Sequence, residues 1–151
     1  MNQANQSLSI PAFRWSGTAF WQGVWMLCCI FFLLGPTIAW ASPTQIIQAE
    51  LTHQSGEWHV SVTLRHADTG WKHYADVWVV EDLTGMELGR RVLLHPHVEE
   101  QPFTRSLRIV LPKSITKIQI RAGDNIEGLN SNVIVVDLTK LRGQGYKIIR
   151  P

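Results

Sequence analysis

Residues 95–106 contain several side chains that can bind a metal ion or an anion, and two of these side chains are histidines. His95 and His97 are two positions apart, so in an extended backbone both imidazoles point to one face, with Cα atoms about 6.5–7 Å apart. Pro96 fixes its own φ angle and favours an extended conformation at His95. Two imidazoles on one face can converge on a metal ion at about 2.0–2.1 Å, so this spacing predicts a metal site.

A metal site in this segment needs a third ligand from elsewhere in the chain. The first choice is His73, and the next candidates are His66, Glu99 and Glu100. Imidazole and carboxylate ligands without sulfur suit Cu(II) or Zn(II), so copper or zinc is the predicted cofactor. Histidines two positions apart also occur in strands without a metal, and packing or hydrogen bonding to nearby carbonyls is the alternative. The predicted metal ligands are His73, His95 and His97.

Charged side chains in the same segment make a second candidate surface. Arg105, together with the histidines, could bind a carboxylate, a phosphate or a sulfur oxyanion. In the structural alternative, Arg105 pairs with Glu99 or Glu100 and pins the loop. Loops at the end of a β-sandwich commonly carry binding sites. The sequence therefore predicts that Glu99, Glu100 and Arg105 contact a periplasmic partner protein or a small anion.

Motifs for catalysis are absent from the sequence. It contains no nucleophile elbow, no His-Glu-x-x-His pair and no phosphate-binding glycine loop. The adjacent carboxylates Glu81-Asp82 and Glu99-Glu100 would point to opposite faces of a strand, so neither pair is suited to acid–base work. Oxygen-rich residues 124–128 lack the ligand spacing of a calcium loop and are typical of a long turn. The sequence therefore favours a binding or accessory module over an enzyme and identifies no catalytic residue.

Alternation of apolar and polar residues dominates the chain after residue 42. Each alternating stretch predicts a strand with one face in a core and the other in water. Turn residues such as Ser55-Gly56 and Thr84-Gly85 separate the stretches. The predicted strands lie within residues 46–52, 58–65, 76–79, 87–94, 106–111, 117–122 and 132–138.

About seven short strands without a helical segment predict an all-β fold, a single immunoglobulin-like or fibronectin-like β-sandwich. An open barrel is the alternative. The predicted sandwich domain covers residues 42–139, a length that can bury a core without disulfides. Residues 140–151 carry four basic residues and no acid, and they are predicted to form a solvated basic tail.

The first 41 residues are typical of a targeting segment. Residues 24–34 are uninterrupted apolar sequence, and Ala39 and Ala41 are the small residues that a signal peptidase reads. Cleavage after Ala41 is therefore predicted. An uncleaved membrane anchor over residues 20–41 is the alternative. The remaining chain would be periplasmic or secreted in the first case, and anchored in the inner membrane facing the periplasm in the second.

Cysteine usage and charge exclude several classes of function. Both cysteines, Cys28 and Cys29, precede the predicted domain, which therefore has no disulfide, thiolate nucleophile or sulfur-ligated metal. From Ser42 onward thirteen basic residues oppose twelve acidic ones, and this balance gives no reason to expect nucleic acid as a partner. A membrane is a predicted partner only through residues 20–41, in the uncleaved form.

Three segments carry a resemblance to known proteins. The segments are residues 73–78, residues 94–107 with the pattern His-Pro-His-x-x-Glu-Gln-Pro-Phe-Thr-Arg-Ser, and residues 120–124. They resemble a group of small exported bacterial β-domain proteins of unassigned function. The resemblance covers roughly residues 58–138 and implies export and a single β-domain. More loosely, the pattern is similar to immunoglobulin-like periplasmic domains of sulfur-carrier and redox proteins, a likeness of fold that carries no function with it.

Overall fold

Nine β-strands form the fold in residues 42–150, the part of the chain that the computed structural model describes. The predicted targeting segment, residues 1–41, lies outside these residues. Within them, no helix has the length and apolar character needed to span a bilayer. In chain order the strands are β1 (Gln45–Gln54), β2 (Glu57–Arg65), β3 (Ala75–Glu81), β4 (Glu87–Val92), β5 (Phe103–Ile109), β6 (Lys117–Asp124), β7 (Gly128–Asp137), β8 (Arg142–Gly143) and β9 (Tyr146–Ile149).

The strands form two sheets that pack face to face. One sheet has five strands in the order β5-β2-β1-β9-β8, and the other has four in the order β4-β3-β6-β7. Neighbouring strands are antiparallel, except that β1 and β9 run parallel. The all-β sandwich that the alternation predicts is therefore confirmed, with nine strands rather than about seven.

The alternating residues fill the space between the sheets. On β2 the side chains of Val60, Val62 and Leu64 are fully buried, and on β6 those of Ile118 and Ile120 are too. Full burial of such a side chain stabilises a fold by about 1.5–3 kcal/mol. All members of the core cluster lie between residues 46 and 148, so we expect residues 42–151 to fold as an independent unit.

The end of the chain belongs to the sandwich. The predicted basic tail, residues 140–151, instead supplies β8 and β9. Tyr146 and Ile148 of β9 are buried, and β9 pairs in parallel with Ala49–Thr52 of β1. Two alternating apolar residues are too weak a pattern to predict a strand, and only the neighbouring strand completes the pairing.

Loops gather at the two ends of the sandwich. Because β2, β4 and β6 finish at the same end, the loops that follow them, residues 66–74, 93–102 and 125–127, lie there together. We call this the histidine end. At the other end, which we call the apolar end, the connections are residues 55–56, 82–86, 110–116 and 138–141.

Candidate metal centre

Buried titratable side chains are concentrated at the histidine end. The loops there bring together three imidazoles and two carboxylates from segments far apart in the chain. Charged or polar groups in such positions need partners, because burial without a hydrogen bond or a counter-charge is costly. His66, Asp68, His97 and Asp124 are buried, and His73 is partly buried.

Asp68 is the centre of a hydrogen-bond network that orients His66. Its Oδ1 accepts hydrogen bonds from Nδ1 of His66 at 2.6 Å and from the backbone N–H of Ala75 at 3.1 Å. Its Oδ2 accepts from the backbone N–H of His97 at 2.6 Å. Because Nδ1 of His66 donates to a carboxylate, its Nε2 has the free lone pair. A carboxylate that fixes the ring of a histidine in this way is typical of metal-ligating histidines.

His73 and Asp124 face His66 across the end of the sandwich. Nε2 of His73 lies 3.6 Å from Oδ1 of Asp124, and the His66 and His73 rings meet edge to face with centroids 4.7 Å apart. One possible ligand atom from each of the three residues lies within 4.8 Å of the other two. Ligands of a tetrahedral zinc ion are about 3.3–3.4 Å apart. His73 and Asp124 are therefore close to coordinating distance already.

Both imidazoles have an unsatisfied nitrogen. Within residues 42–150, neither Nε2 of His66 nor Nε2 of His73 has a hydrogen-bond partner, although both atoms are buried. An unsatisfied buried polar atom costs about 1–3 kcal/mol, and most buried polar atoms in proteins avoid that cost. The two nitrogens lie near the buried carboxylate of Asp124, and together the three groups could hold a metal ion.

Local turns hold His73 and Asp124 in place. A tight turn leads into His73, with its N–H donating to the carbonyl of Gly70, which has a φ of 107°. A φ of this size favours glycine. The Asn125 side chain accepts from the N–H of Tyr74 at 2.9 Å, and the Asn125 N–H donates to the Tyr74 carbonyl. The loop after β2 and the turn after β6 are therefore fastened to each other.

The structure places the predicted pair His95 and His97 next to each other. Their rings are 4.6 Å apart; His95 is exposed, whereas His97 is buried and stacks on Phe103 at 3.7 Å. Burial, together with the nearby charge of Arg105, lowers the pKa of His97. In the described part of the chain the group of three possible ligands is His66, His73 and Asp124, so His73 lies with these residues.

The structure also shows the contacts of Glu99, Glu100 and Arg105, the residues of the predicted partner surface. Nη2 of Arg105 lies 2.9 Å from Oε2 of Glu100, and this hydrogen bond lowers the pKa of the Glu100 carboxyl. The guanidinium also lies 5.4 Å from the centre of the Phe103 ring, and Glu99 is exposed. Arg105 and Glu100 thus pair with each other, as in the structural alternative.

Among ligands from outside residues 95–106, the sequence predicts His73 first and includes His66 among the next candidates. Neither aspartate is predicted as part of a site, and Asp124 falls in residues 124–128, which are typical of a long turn. The spacing of His66 and Asp68, two apart at the end of a strand, is a signal that could have identified the orienting carboxylate. No local signal connects residue 124 with residue 73, because only the pairing of β3 with β6 brings them together.

Comparisons with known proteins identify a relative for about half of this chain. A protein named "Putative lipoprotein" from Halomicrobium mukohataei is 48% identical to it over 77 residues. The match covers 51% of this chain and 38% of that protein, so the chain spans about two fifths of the length of its relative. No protein-family model matches the chain, and no solved structure matches it.

Proposed function

We propose that this domain binds a divalent transition-metal ion, zinc or Cu(II), at the histidine end. The ligands are Nε2 of His66, Nε2 of His73 and the carboxylate of Asp124. The observation that carries the proposal is the pair of buried imidazole nitrogens that have no hydrogen-bond partner within residues 42–150 and lie near a buried carboxylate. Nitrogen and oxygen ligands without thiolate suit these two ions.

Charge balance supports a dication in this position. Asp124 would contribute one negative charge to the metal directly, and Asp68 would contribute a second through His66. A buried ion is tolerated when it is paired and its ligands are themselves hydrogen-bonded. Oδ1 of Asp124 already accepts from the N–H groups of Ile126 and Glu127, which fix its orientation. Three protein ligands leave at least one coordination position for water or a small ligand.

The ligand set His73, His95 and His97 is the alternative within the same function. It is favoured by the adjacent rings of His95 and His97 and by the two nitrogens of His97, which have no hydrogen-bond partner within residues 42–150. Both sets contain His73. The other two ligands are His66 and Asp124 in the first set, and His95 and His97 in the second.

Export to the periplasm is part of the proposal. The apolar stretch within residues 1–41 and the name of the relative, which contains the word lipoprotein, support it. A metal site without sulfur ligands also suits an oxidising compartment, since oxidation cannot remove its ligands.

The test is isothermal titration of Zn(II) and of Cu(II) into the metal-free domain of residues 42–151. We expect one ion per domain, and we expect Asp124→Asn to weaken binding by at least about 100-fold, since loss of a group that merely orients a ligand costs about 10–100-fold. The amide introduced by this substitution keeps an oxygen for the turn, so the fold should survive, which thermal unfolding checks.

His95→Ala is the matched control, because His95 is exposed and adjacent to the buried ring of His97. We expect it to change the affinity less than twofold. Loss of binding in His95→Ala with retention in Asp124→Asn would select the alternative ligand set. Absence of stoichiometric binding, or binding that survives both substitutions, would contradict the function itself.

A further inference from the structure

The apolar end of the sandwich contains a cavity with a volume of about 570 Å³. It lies between His53, the start of β2, the loop 110–116 and the segment that follows β7, at the opposite end of the sandwich from His66 and His73. Small-molecule sites in proteins are typically concave, mostly apolar and about 300–1,000 Å³ in volume. The apolar residues that line this cavity are Trp58, Val110, Leu111, Pro112, Ile115 and Leu138.

The apolar lining of the cavity is continuous with the core. Trp58 and Ile115 are partly buried and pack against the core, and Leu111 and Leu138 are buried. Val110, at the rim, is 70% exposed. Apolar surface gathered in a concavity, unlike scattered surface residues, indicates a site for an apolar group.

The rim of the cavity is basic. Lys113 is one of its lining residues, and Arg150 lines the adjoining hollow with His53, Trp58 and Leu138. The guanidinium of Arg150 is held there, since its Nη2 donates to the carbonyl of Leu138 at 3.3 Å. Among the described residues that line the cavity and the hollow, none is acidic.

We propose that this cavity binds an amphipathic monocarboxylate with a single hydrocarbon chain. The chain would lie on Trp58 and Leu138, and the carboxylate would pair with Lys113 and Arg150. Guanidinium and ammonium groups bind carboxylates through charge-assisted hydrogen bonds, and the apolar lining accepts the chain. The site is independent of the metal centre, because it shares no residue with it.

The test is isothermal titration of dodecanoate, below its micelle concentration, into residues 42–151. We expect saturable binding of one molecule, and decanoate should bind about 15-fold more weakly, because each buried methylene contributes about a fourfold change in affinity. Dodecyltrimethylammonium, which has the same chain and the opposite charge, should bind at least about tenfold more weakly.

Two matched double variants test the site itself. Lys113→Glu with Arg150→Glu should weaken dodecanoate binding at least about tenfold, since an attractive pair becomes a repulsive one. Arg65→Glu with Arg108→Glu changes the net charge equally at exposed positions outside the cavity, and should leave the affinity within twofold. Val110→Glu, a substitution at the exposed rim, should also weaken binding without unfolding the domain.

Three results would overturn the proposal. The first is no saturable binding of dodecanoate, and the second is equal binding of the ammonium analogue. The third is an unchanged affinity in both Lys113→Glu/Arg150→Glu and Val110→Glu when circular dichroism shows that they are folded.

Discussion

The histidine end and the apolar end of this sandwich close the same core in different ways. At the histidine end, buried imidazoles and carboxylates fill the gap between the sheets, and Asp68 accepts three hydrogen bonds there. At the apolar end, the connections between strands leave a cavity lined by Trp58 and Leu138. These are the two sites for which we propose a metal ion and an apolar chain, respectively.

The difference comes from the loops, because both ends are built on the same strands. The loop of residues 66–74 is long enough to fold back and to place Asp68 and His73 over the core. The connection at residues 55–56 is a tight turn with a φ of 84° at Gly56, and two residues are too few to fold back over the core. A rigid sandwich can therefore carry two unlike sites, because loops vary without disturbing the core.

The largest contrast between the ends should appear in stability. Phe103, which is 2% exposed and stacks on His97, closes the histidine end. We expect Phe103→Ala to lower the free energy of unfolding by about 3–5 kcal/mol, because it leaves a cavity under His97. Val110→Ala at the exposed rim of the apolar end should cost less than about 0.5 kcal/mol. Urea denaturation of both variants checks this, and equal losses would show that the two ends do not differ in packing.

A smaller effect is expected in metal affinity when the orienting carboxylate is neutralised. Asp68→Asn should weaken zinc binding by about 10–100-fold, because the amide no longer fixes the ring of His66 as the carboxylate does. Asp82→Asn is the control, since Asp82 is a turn carboxylate at the apolar end that also accepts backbone N–H groups. Isothermal titration measures both. If Asp68→Asn binds zinc as tightly as the wild type, Asp68 does not contribute to the site.

The smallest effect should be the coupling between the two ends. They are separated by the length of β2, about 26 Å for Glu57–Arg65. A packed β-sandwich offers no second arrangement that both ligands would favour differently, and coupling requires one. We therefore expect saturation with zinc to change the affinity for dodecanoate less than twofold. A change of about tenfold, equal to about 1.4 kcal/mol, would show that the ends communicate.

Much of the fold follows from local sequence, because burial of one strand face produces a period of two that is visible in the chain. Val60, Val62 and Leu64 show that period clearly, and the structure has β2 there. Strand β9 is not predicted by the same pattern, because Tyr146 and Ile148 are only two alternating residues. Its parallel partner β1 lies far away in the chain, since Ala49, which pairs with Tyr146, is 97 positions earlier.

The candidate site was predictable only by residue type. The sequence by itself determined that the proposed metal could have only nitrogen and oxygen ligands, since the chain after Ser42 has no cysteine, and that the fold would be a sandwich with its candidate residues on loops. Only the tertiary structure decided that His66 and His73 meet Asp124, because the pairing of β3 with β6 joins segments about 50 residues apart. Local patterns record which face of a strand is buried, but they do not record which strands become neighbours.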